Sequence, residues 1–578
     1  MTLPLDIPIT PVSRRAWFIG GILCLAWMGV MGRLCYLQWW LHPRLATAAQ
    51  RQQYTSMEIP ARAGDIVDRR GRLLATSMAR PSLYLVPKKI LDRKTYAESA
   101  CTALNTTAAE LEAFLTKHAT KGFVWYERRM TWEQARAFRE LKMPRETFGF
   151  QDEFLREYPY GDLACHVLGL RQLDNQPFGG LEAAMNDQLA GKPEVWHVQR
   201  DALGKVVEVF PNDEAEDDVN QGRTVTSTID IVLQKQTEEI LDELMTKHAP
   251  KSACAIVMDP KTGDVLALAS RPSYSYADLA HVPEGGWHNG GLTIQYEPGS
   301  TFKPFIVAMA LQNGYITKDE MIDCERGAYR MGRRTLHDTH AYGLLSLTDV
   351  LVKSSNIGMS KIGEKMGNDA LFDAIIRFGF GRRTGIELTG ELPGLVRPLE
   401  QWTSYSTGSV TMGQEISTTP LQILTGTCCL ANGGRLIKPR IIRDDDHLPV
   451  SSQVLSPEIA RWLIEGPMVE VVKRGTGKTA QLKDYTVFGK TGTAQKFDTE
   501  TGQYSHSKMI CSFVGGAPAN DPQVCVIVTV DEPTKGGTAY GGVVAGPSCA
   551  KIIDRVLKTM KVVEKRDLAS EESDTNHR

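Results

Sequence analysis

Three short segments of this 578-residue chain carry side chains that together could transfer an acyl group through a serine. Ser300-Thr301-Phe302-Lys303 reads S-x-x-K, Ser354-Ser355-Asn356 reads S-x-N 54 residues on (354 − 300), and Lys490-Thr491-Gly492-Thr493 reads K-T-G 136 later (490 − 354). In that order they supply a nucleophile, an amine to deprotonate it and a polar strand to hold a carboxylate. A serine hydroxyl is a weak nucleophile until a neighbouring base takes its proton. Lys303 can be that base only when neutral, which requires burial or a nearby cation. Lys490 is the expected cation. Tyr296-Glu297-Pro298-Gly299 breaks the chain and an apolar-rich stretch follows over 302–311, so Ser300 is expected at or near a helix N-terminus, where the dipole favours negative charge. Positions i and i+3 share a helix face, which brings the Lys303 amine to within one turn of Ser300.

No motif of the three is informative alone. Ser300 and Lys303 could be a helix cap and a solvated lysine, and Ser354 and Asn356 are both good caps. The chain holds its own control in a second K-T-G, Lys261-Thr262-Gly263, which lies between apolar stretches with turn residues Asp259-Pro260 beside it. That copy is expected to be a hairpin turn. Lys490 differs in context, because Tyr485-Thr486-Val487-Phe488-Gly489 reads as a strand running into the motif. Gly475-Thr476-Gly477-Lys478-Thr479 resembles the end of a phosphate loop, but Val472 occupies the position of the first glycine, which excludes nucleotide binding there. Order and context together make the trio a site, with Ser354 as a proton relay and Asn356 as a hydrogen-bond partner for the substrate amide.

At these residues the chain resembles the class B penicillin-binding proteins, the D,D-transpeptidases that crosslink peptidoglycan. The likeness rests on Tyr-Glu-Pro-Gly-Ser-Thr-Phe-Lys-Pro (296–304), Ser-Ser-Asn-Ile-Gly (354–358) and Gly-Lys-Thr-Gly-Thr-Ala-Gln-Lys (489–496), and extends from the membrane segment to about residue 555. Gly390-Glu391-Leu392-Pro393-Gly394, Thr419-Pro420-Leu421-Gln422 and Tyr540-Gly541-Gly542 add to it. Glu297 resembles the division-specific, FtsI-type branch; the elongation branch more often has proline there. The resemblance implies that Ser300 is acylated by the penultimate D-alanine of a stem peptide and that Lys303 or Ser354 returns the proton when a second stem's amine attacks. It places the amides of Ser300 and Thr493 in an oxyanion hole. Thr491 and Thr493 would bind the substrate's terminal carboxylate, with Gly492 between them and Lys490 supplying charge. β-Lactams would acylate the same serine, and no cofactor or metal is implied.

The elements that must position these residues follow from the rest of the chain. Arg14 and Arg15 precede an uncharged apolar run over 16–32, about 25 Å of helix. Extending it to Leu37 with Arg33 snorkelling reaches the roughly 30 Å of a bilayer core. Bulky residues throughout 28–34 offer no cleavage site, so the segment 16–37 is expected to be an uncleaved signal anchor. Residues 1–15 are then cytoplasmic, and the remainder lies outside the bacterial cytoplasmic membrane. Residues 41–220 are expected to form an elongated, non-catalytic pedestal of mixed α/β structure with one clear helix from Thr107 to Lys117. Ile59 to Arg69, Tyr158-Pro159-Tyr160-Gly161, His166-Val167-Leu168-Gly169 and Gly180-Leu181-Glu182 resemble the family's pedestal motifs. Arg62, Arg69 and Glu182 are candidates for ion pairs or a partner surface. The acidic run 213–218 reads as a solvated loop. Val225 to Ile229 is expected to open a transpeptidase domain over 225–557, followed by a helix from Ile231 to Met245. By resemblance that domain is α+β, a five-stranded antiparallel sheet flanked by helices and similar to serine β-lactamases. The charged tail 561–578 is expected to be disordered.

A net charge of −2 and a pI near 6.7 give no electrostatic footprint for nucleic acid. Eleven scattered cysteines without C-x-x-C form neither a zinc site nor a disulfide framework, and Cys428-Cys429 reads as core. His337 and His340 lack a third ligand candidate nearby. The implied partners are stem peptides, β-lactams and, through the membrane helix and pedestal, a polytopic glycosyltransferase and other division proteins. The competing readings are an elongation-type transpeptidase, a serine β-lactamase, a β-lactam sensor and an inactive division scaffold.

Overall fold

The computed structural model describes residues 14–563 apart from 60, 173, 201–205, 211–220, 445, 448, 499–502 and 537–538. The N-terminal tail to residue 13, the acidic run 213–218 and the tail from 564 lie outside the described residues. The chain divides into two compact units, one comprising 1–61 with 192–221 and the other 62–191 with 222–578.

In the first unit, helix α1 (Arg14–Cys35) continues through a wider turn (Tyr36–Trp40), giving a 27-residue apolar span. Its side chains are exposed on every face, as expected of a helix whose neighbour is lipid. The Arg33 guanidinium lies over the Tyr36 ring, 5.3 Å from its centre. The same unit contains an antiparallel sheet of Tyr54–Ile59, Glu194–Arg200 and Val206–Phe210.

In the second unit, residues 62–191 are organised on the long strand Leu73–Leu85, which pairs with Phe148–Glu157 and Val124–Glu127. The expected helix is Ala108–Lys117, with Thr107 and Glu110 forming a reciprocal capping box at its start. Glu182 is fully buried between two guanidinium groups, Arg156 Nε at 2.6 Å and Arg171 Nε at 2.5 Å. Arg156 also donates to Gly64 O (2.7 Å) and Ser77 Oγ (3.1 Å), so this one carboxylate ties three segments. Glu182→Ala would leave two buried cations without their acid. It is expected to cost roughly 3–5 kcal/mol, read as a lower urea midpoint of the detergent-solubilised protein. An unchanged midpoint would show that the cluster is solvated. Arg62 pairs with Asp65 at 3.4 Å, whereas Arg69 contributes backbone bonds to Ile229 and Arg443.

Val225 and Thr226 depart from the expected assignment. They form a short parallel pair with Ile66–Val67 and so belong to the sheet of the 62–191 segment. The chain leaves that sheet because Thr228 Oγ1 turns to donate to Val265 O (2.7 Å) and Asp230 caps the next helix. Arg72 clamps this crossing, bonded to Asp68 and Asp230 at 2.5 Å each.

The expected five-stranded sheet is antiparallel throughout, with β1 (Ser252–Met258), β2 (Val265–Arg271), β3 (Phe488–Asp498), β4 (Gln503–Ala517) and β5 (Val524–Asp531) in the order β2-β1-β5-β4-β3. Both faces are buried, and strand alternation assigns each residue to a side. Ala255, Val257, Val526 and Val528 pack under α2 (Ile231–His248) and the C-terminal helix Gly546–Thr559. Ile256, Met258, Leu268 and Ile527 face α3 (Lys303–Gln312), α4 (Asn356–Arg377) and α5 (Pro420–Ala431). Lys261-Thr262-Gly263 is the β1–β2 turn: Gly263 has φ 76° and Lys261 pairs with Asp521 (2.7 Å) at the surface. Cys428 and Cys429 are buried in α5, and all eleven cysteines are free thiols.

Candidate active site

Ser300 sits on a 3₁₀ turn (Gly299–Phe302) that runs directly into α3, whose first residue is Lys303. The turn is pinned from two sides. Gly299 N donates to Gly413 O (3.1 Å), and a side chain at Gly413 would strike the Gly299 carbonyl. On the other side, a Cβ at Gly492 would meet Ser512 Oγ and lie 2.9 Å from Thr301 Cγ2. Glycine in the K-T-G motif therefore lets edge strand β3 close against the nucleophile turn. The strand itself starts at Phe488, later than the sequence suggested, and carries the whole motif.

Ser354 occupies the left-handed region, φ 58°, which costs about 1–3 kcal/mol for a residue with a Cβ. That conformation turns its carbonyl to Lys303 Nζ (2.6 Å) and its hydroxyl to Ser300 Oγ (2.9 Å). Lys303 Nζ also donates to Asn356 Oδ1 (2.8 Å), Ser354 Oγ (3.2 Å) and Ser355 O (3.4 Å). Lys490 Nζ reaches the same Ser354 hydroxyl at 3.0 Å. The amines therefore communicate with Ser300 through Ser354, the only side chain bonded to all three groups among the described residues.

Both lysines are fully buried. Burial pushes Lys303 down to about 7, opposed by the Asp338 carboxylate. Lys490 is held well below its usual range, by burial first and then by repulsion from Lys303. Burial is thus the first cause of both shifts, with the two amines repelling each other in addition, so the expectation that rested on the charge of Lys490 is secondary to desolvation.

Asp338 was not singled out in the sequence, yet it positions the S-x-N segment. Its Oδ2 accepts from Ser355 Oγ (2.6 Å) and its Oδ1 from the amides of Asn356 (2.5 Å) and Ile357 (3.2 Å) at the start of α4. A carboxylate there complements the helix dipole. His337, weighed as a metal ligand, instead offers its carbonyl to Asn356 Nδ2 (3.4 Å). Thr476, from the rejected phosphate-loop pattern, shares a hydrogen bond with Thr491 (Oγ1 to Oγ1, 2.7 Å), and Thr493 Oγ1 accepts from Gly541 N (3.0 Å). Glu297 Oε1 accepts from Glu415 N and from the Tyr504 hydroxyl, both at 2.9 Å, and burial raises its pKa.

Two family profiles match the chain: the penicillin binding protein transpeptidase domain over 253–554 and the penicillin-binding protein dimerisation domain over 58–226. The stage V sporulation protein D of Bacillus subtilis is 31% identical, covering 96% of this chain and 87% of its own. The peptidoglycan D,D-transpeptidase FtsI of Escherichia coli K12 is 30% identical, covering 95% of this chain and 92% of its own. A crystal structure of penicillin binding protein 3 from Mycobacterium tuberculosis in complex with aztreonam aligns with TM-score 0.67 and 25% identity, covering 89% of this chain and 99% of that one.

Proposed function

The chain belongs to the class B penicillin-binding proteins, serine-type D,D-transpeptidases of peptidoglycan, and on that premise we propose that Ser300 is the acylated nucleophile and that Ser354 passes its proton to neutral Lys303. The observation that carries this reading is the continuous path Ser300 Oγ–Ser354 Oγ–Lys303 Nζ, 2.9 and 3.2 Å per step, ending on an amine whose pKa is near 7. A base poised near the working pH combines the right protonation state with useful driving force.

In the first half-reaction the Ser300 oxygen bonds to the carbonyl carbon of the penultimate D-alanine and the peptide C–N bond breaks. The proton taken from Ser300 leaves with the terminal D-alanine. The amides of Ser300 and Thr493 receive the oxyanion, an interaction worth about 3 kcal/mol per donor. Thr491, Thr493 and Lys490 hold the departing residue's carboxylate, with Thr491 exchanging its bond to Thr476 for one to substrate. Asn356 holds the donor amide. In the second half-reaction an amine of a neighbouring stem attacks the ester and its proton returns to Ser300 along the same path. A β-lactam enters the first half as a mimic and stays bound because its leaving group remains tethered.

The protein is a single-pass protein of the bacterial cytoplasmic membrane, held by the 14–40 span with its catalytic domain outside. A septal role is proposed from Glu297 and from the likeness to FtsI, with a polytopic glycosyltransferase and other division proteins as partners of the membrane helix and the 62–191 segment. The deciding assay supplies a stem pentapeptide with a labelled D-amino acid acceptor. Exchange of the terminal D-alanine for the label is expected. Hydrolysis without exchange would favour a β-lactamase-like or carboxypeptidase activity, and neither product, with folded protein, would favour a scaffold.

A further inference from the structure

The hairpin of strands Ala328–Met331 and Arg334–His337 borders the cleft and carries a cation that the proposed reaction does not use. We propose that Arg334 is a specificity arm for a carboxylate on the donor stem peptide, carried by the side chain of the residue that precedes the D-alanyl pair. This rests on the reading that Ser300 is acylated by such a peptide.

Two walls of the cleft place Arg334. On one, His337 closes the strand that Arg334 opens and accepts from Asn356 Nδ2 (3.4 Å), the group that would hold the donor amide. Three strand steps of about 3.3 Å separate the two residues, so Arg334 is about 10 Å farther along the same edge. On the other wall, the Arg334 guanidinium lies over the Tyr405 ring (5.5 Å) and Nη1 donates to Ser409 Oγ (3.4 Å). Ser409 O in turn accepts from Gln414 N, beside Gly413, the residue that pins the nucleophile turn. The same charge is felt by Tyr504, whose hydroxyl is bonded to Glu297, three residues before Ser300. A side chain leaving the donor on the far side of its amide would run along this edge.

The guanidinium lacks an acid. Among the described residues no carboxylate lies within ion-pair distance of Arg334, and the acids around it are engaged elsewhere: Glu415 with Arg397, Asp338 with the S-x-N amides, Glu364 with the Tyr329 hydroxyl. Glu297 is engaged by the Glu415 amide and the Tyr504 hydroxyl. A cation fixed by an aromatic face, with its fork partly open, is suited to a planar carboxylate.

The test compares benzylpenicillin with carbenicillin, which adds one carboxylate to the acyl side chain, as second-order acylation rates of the full-length protein in detergent. Arg334→Gln is expected to lower the carbenicillin-to-benzylpenicillin rate ratio about three- to tenfold, between an exposed ion pair and a desolvated charged hydrogen bond. Arg334→Lys should recover part of it, and the wild-type ratio should fall as salt rises. Arg330→Gln is the control: Arg330 faces Thr335 across the hairpin, on the face opposite the Met331–Arg334 pair, so its ratio should stay at the wild-type value. An Arg334→Gln ratio equal to wild type, or an equal fall in Arg330→Gln, overturns the assignment. Failure of benzylpenicillin to acylate the wild-type protein overturns the Ser300 reading as well, a distinct result.

Discussion

Lys303→Ala is expected to slow acylation by benzylpenicillin about a thousandfold, within the range of a lost general base, while Lys261→Ala stays within about twofold of wild type. Fluorescent penicillin labelling over time reads both, and Ser300→Ala should abolish the adduct. Lys303 closes the S-x-x-K motif and Lys261 opens the second K-T-G, and their surroundings are opposite. Lys303 is fully buried and donates to three consecutive residues of the S-x-N segment, whereas Lys261 is on a surface turn beside Asp521. Ser354→Ala tests the relay itself, since Ser354 Oγ is the hydrogen-bonded link between Ser300 and both amines. Its rate should fall about a hundredfold or more, because the amine then has to reach Ser300 directly or through a water. Because Lys303 also holds the left-handed turn at Ser354, circular dichroism of each variant must match wild type for the comparison to stand. Equal losses at Lys303 and Lys261 would overturn the reading of Lys261-Thr262-Gly263 as a mere turn, and a Ser354→Ala rate near wild type would remove the relay.

The parts of the site that could be read from sequence are those whose chemistry is local or ordered along the chain. Ser300 and Lys303 are one turn apart, and the 107–117 helix announces itself with its own capping box. The β1–β2 turn is marked by Asp259-Pro260 and Gly263. What could not be read depends on contacts that only the fold makes. Asp338 lies 17 to 19 residues before the groups it holds, with an aspartate in a polar loop as its sole local signature. Thr476 sits in a segment whose pattern suggested a loop for another ligand, and its bond to Thr491 spans 15 residues. Val225 and Thr226 have a strand-like pattern, but the pattern does not choose between two sheets, and pairing with Ile66–Val67 decides it. The weight of burial at Lys490 could not be read for a different reason. Sequence displays a charge, whereas burial determines whether that charge persists, and here both amines are fully buried.

That last difference has a measurable consequence in the pH profile of acylation. Lys303 falls from 10.5 to about 7 on folding, so the reactive neutral amine dominates above pH 7. The second-order rate should rise tenfold per unit below that point and level off above it, leaving pH 5 about a hundredfold below the plateau. The linked effect on stability has its own sign. A lysine whose pKa is depressed by folding binds more protons in the unfolded chain between pH 7 and 10.5, so its burial penalty shrinks as pH rises through that window and is constant below it. Lys490 acts in the same direction. The decisive comparison is Lys490→Ala. Were its charge the cause of the low Lys303 pKa, removing it would move the midpoint of the rate profile up by a unit or more. Because desolvation is the first cause, the midpoint should remain near 7 even as the plateau rate falls with the loss of the amine proposed to hold the carboxylate. A midpoint that climbs towards the usual lysine range would assign the depression to the paired charge and restore Lys490 as a cation in the free enzyme.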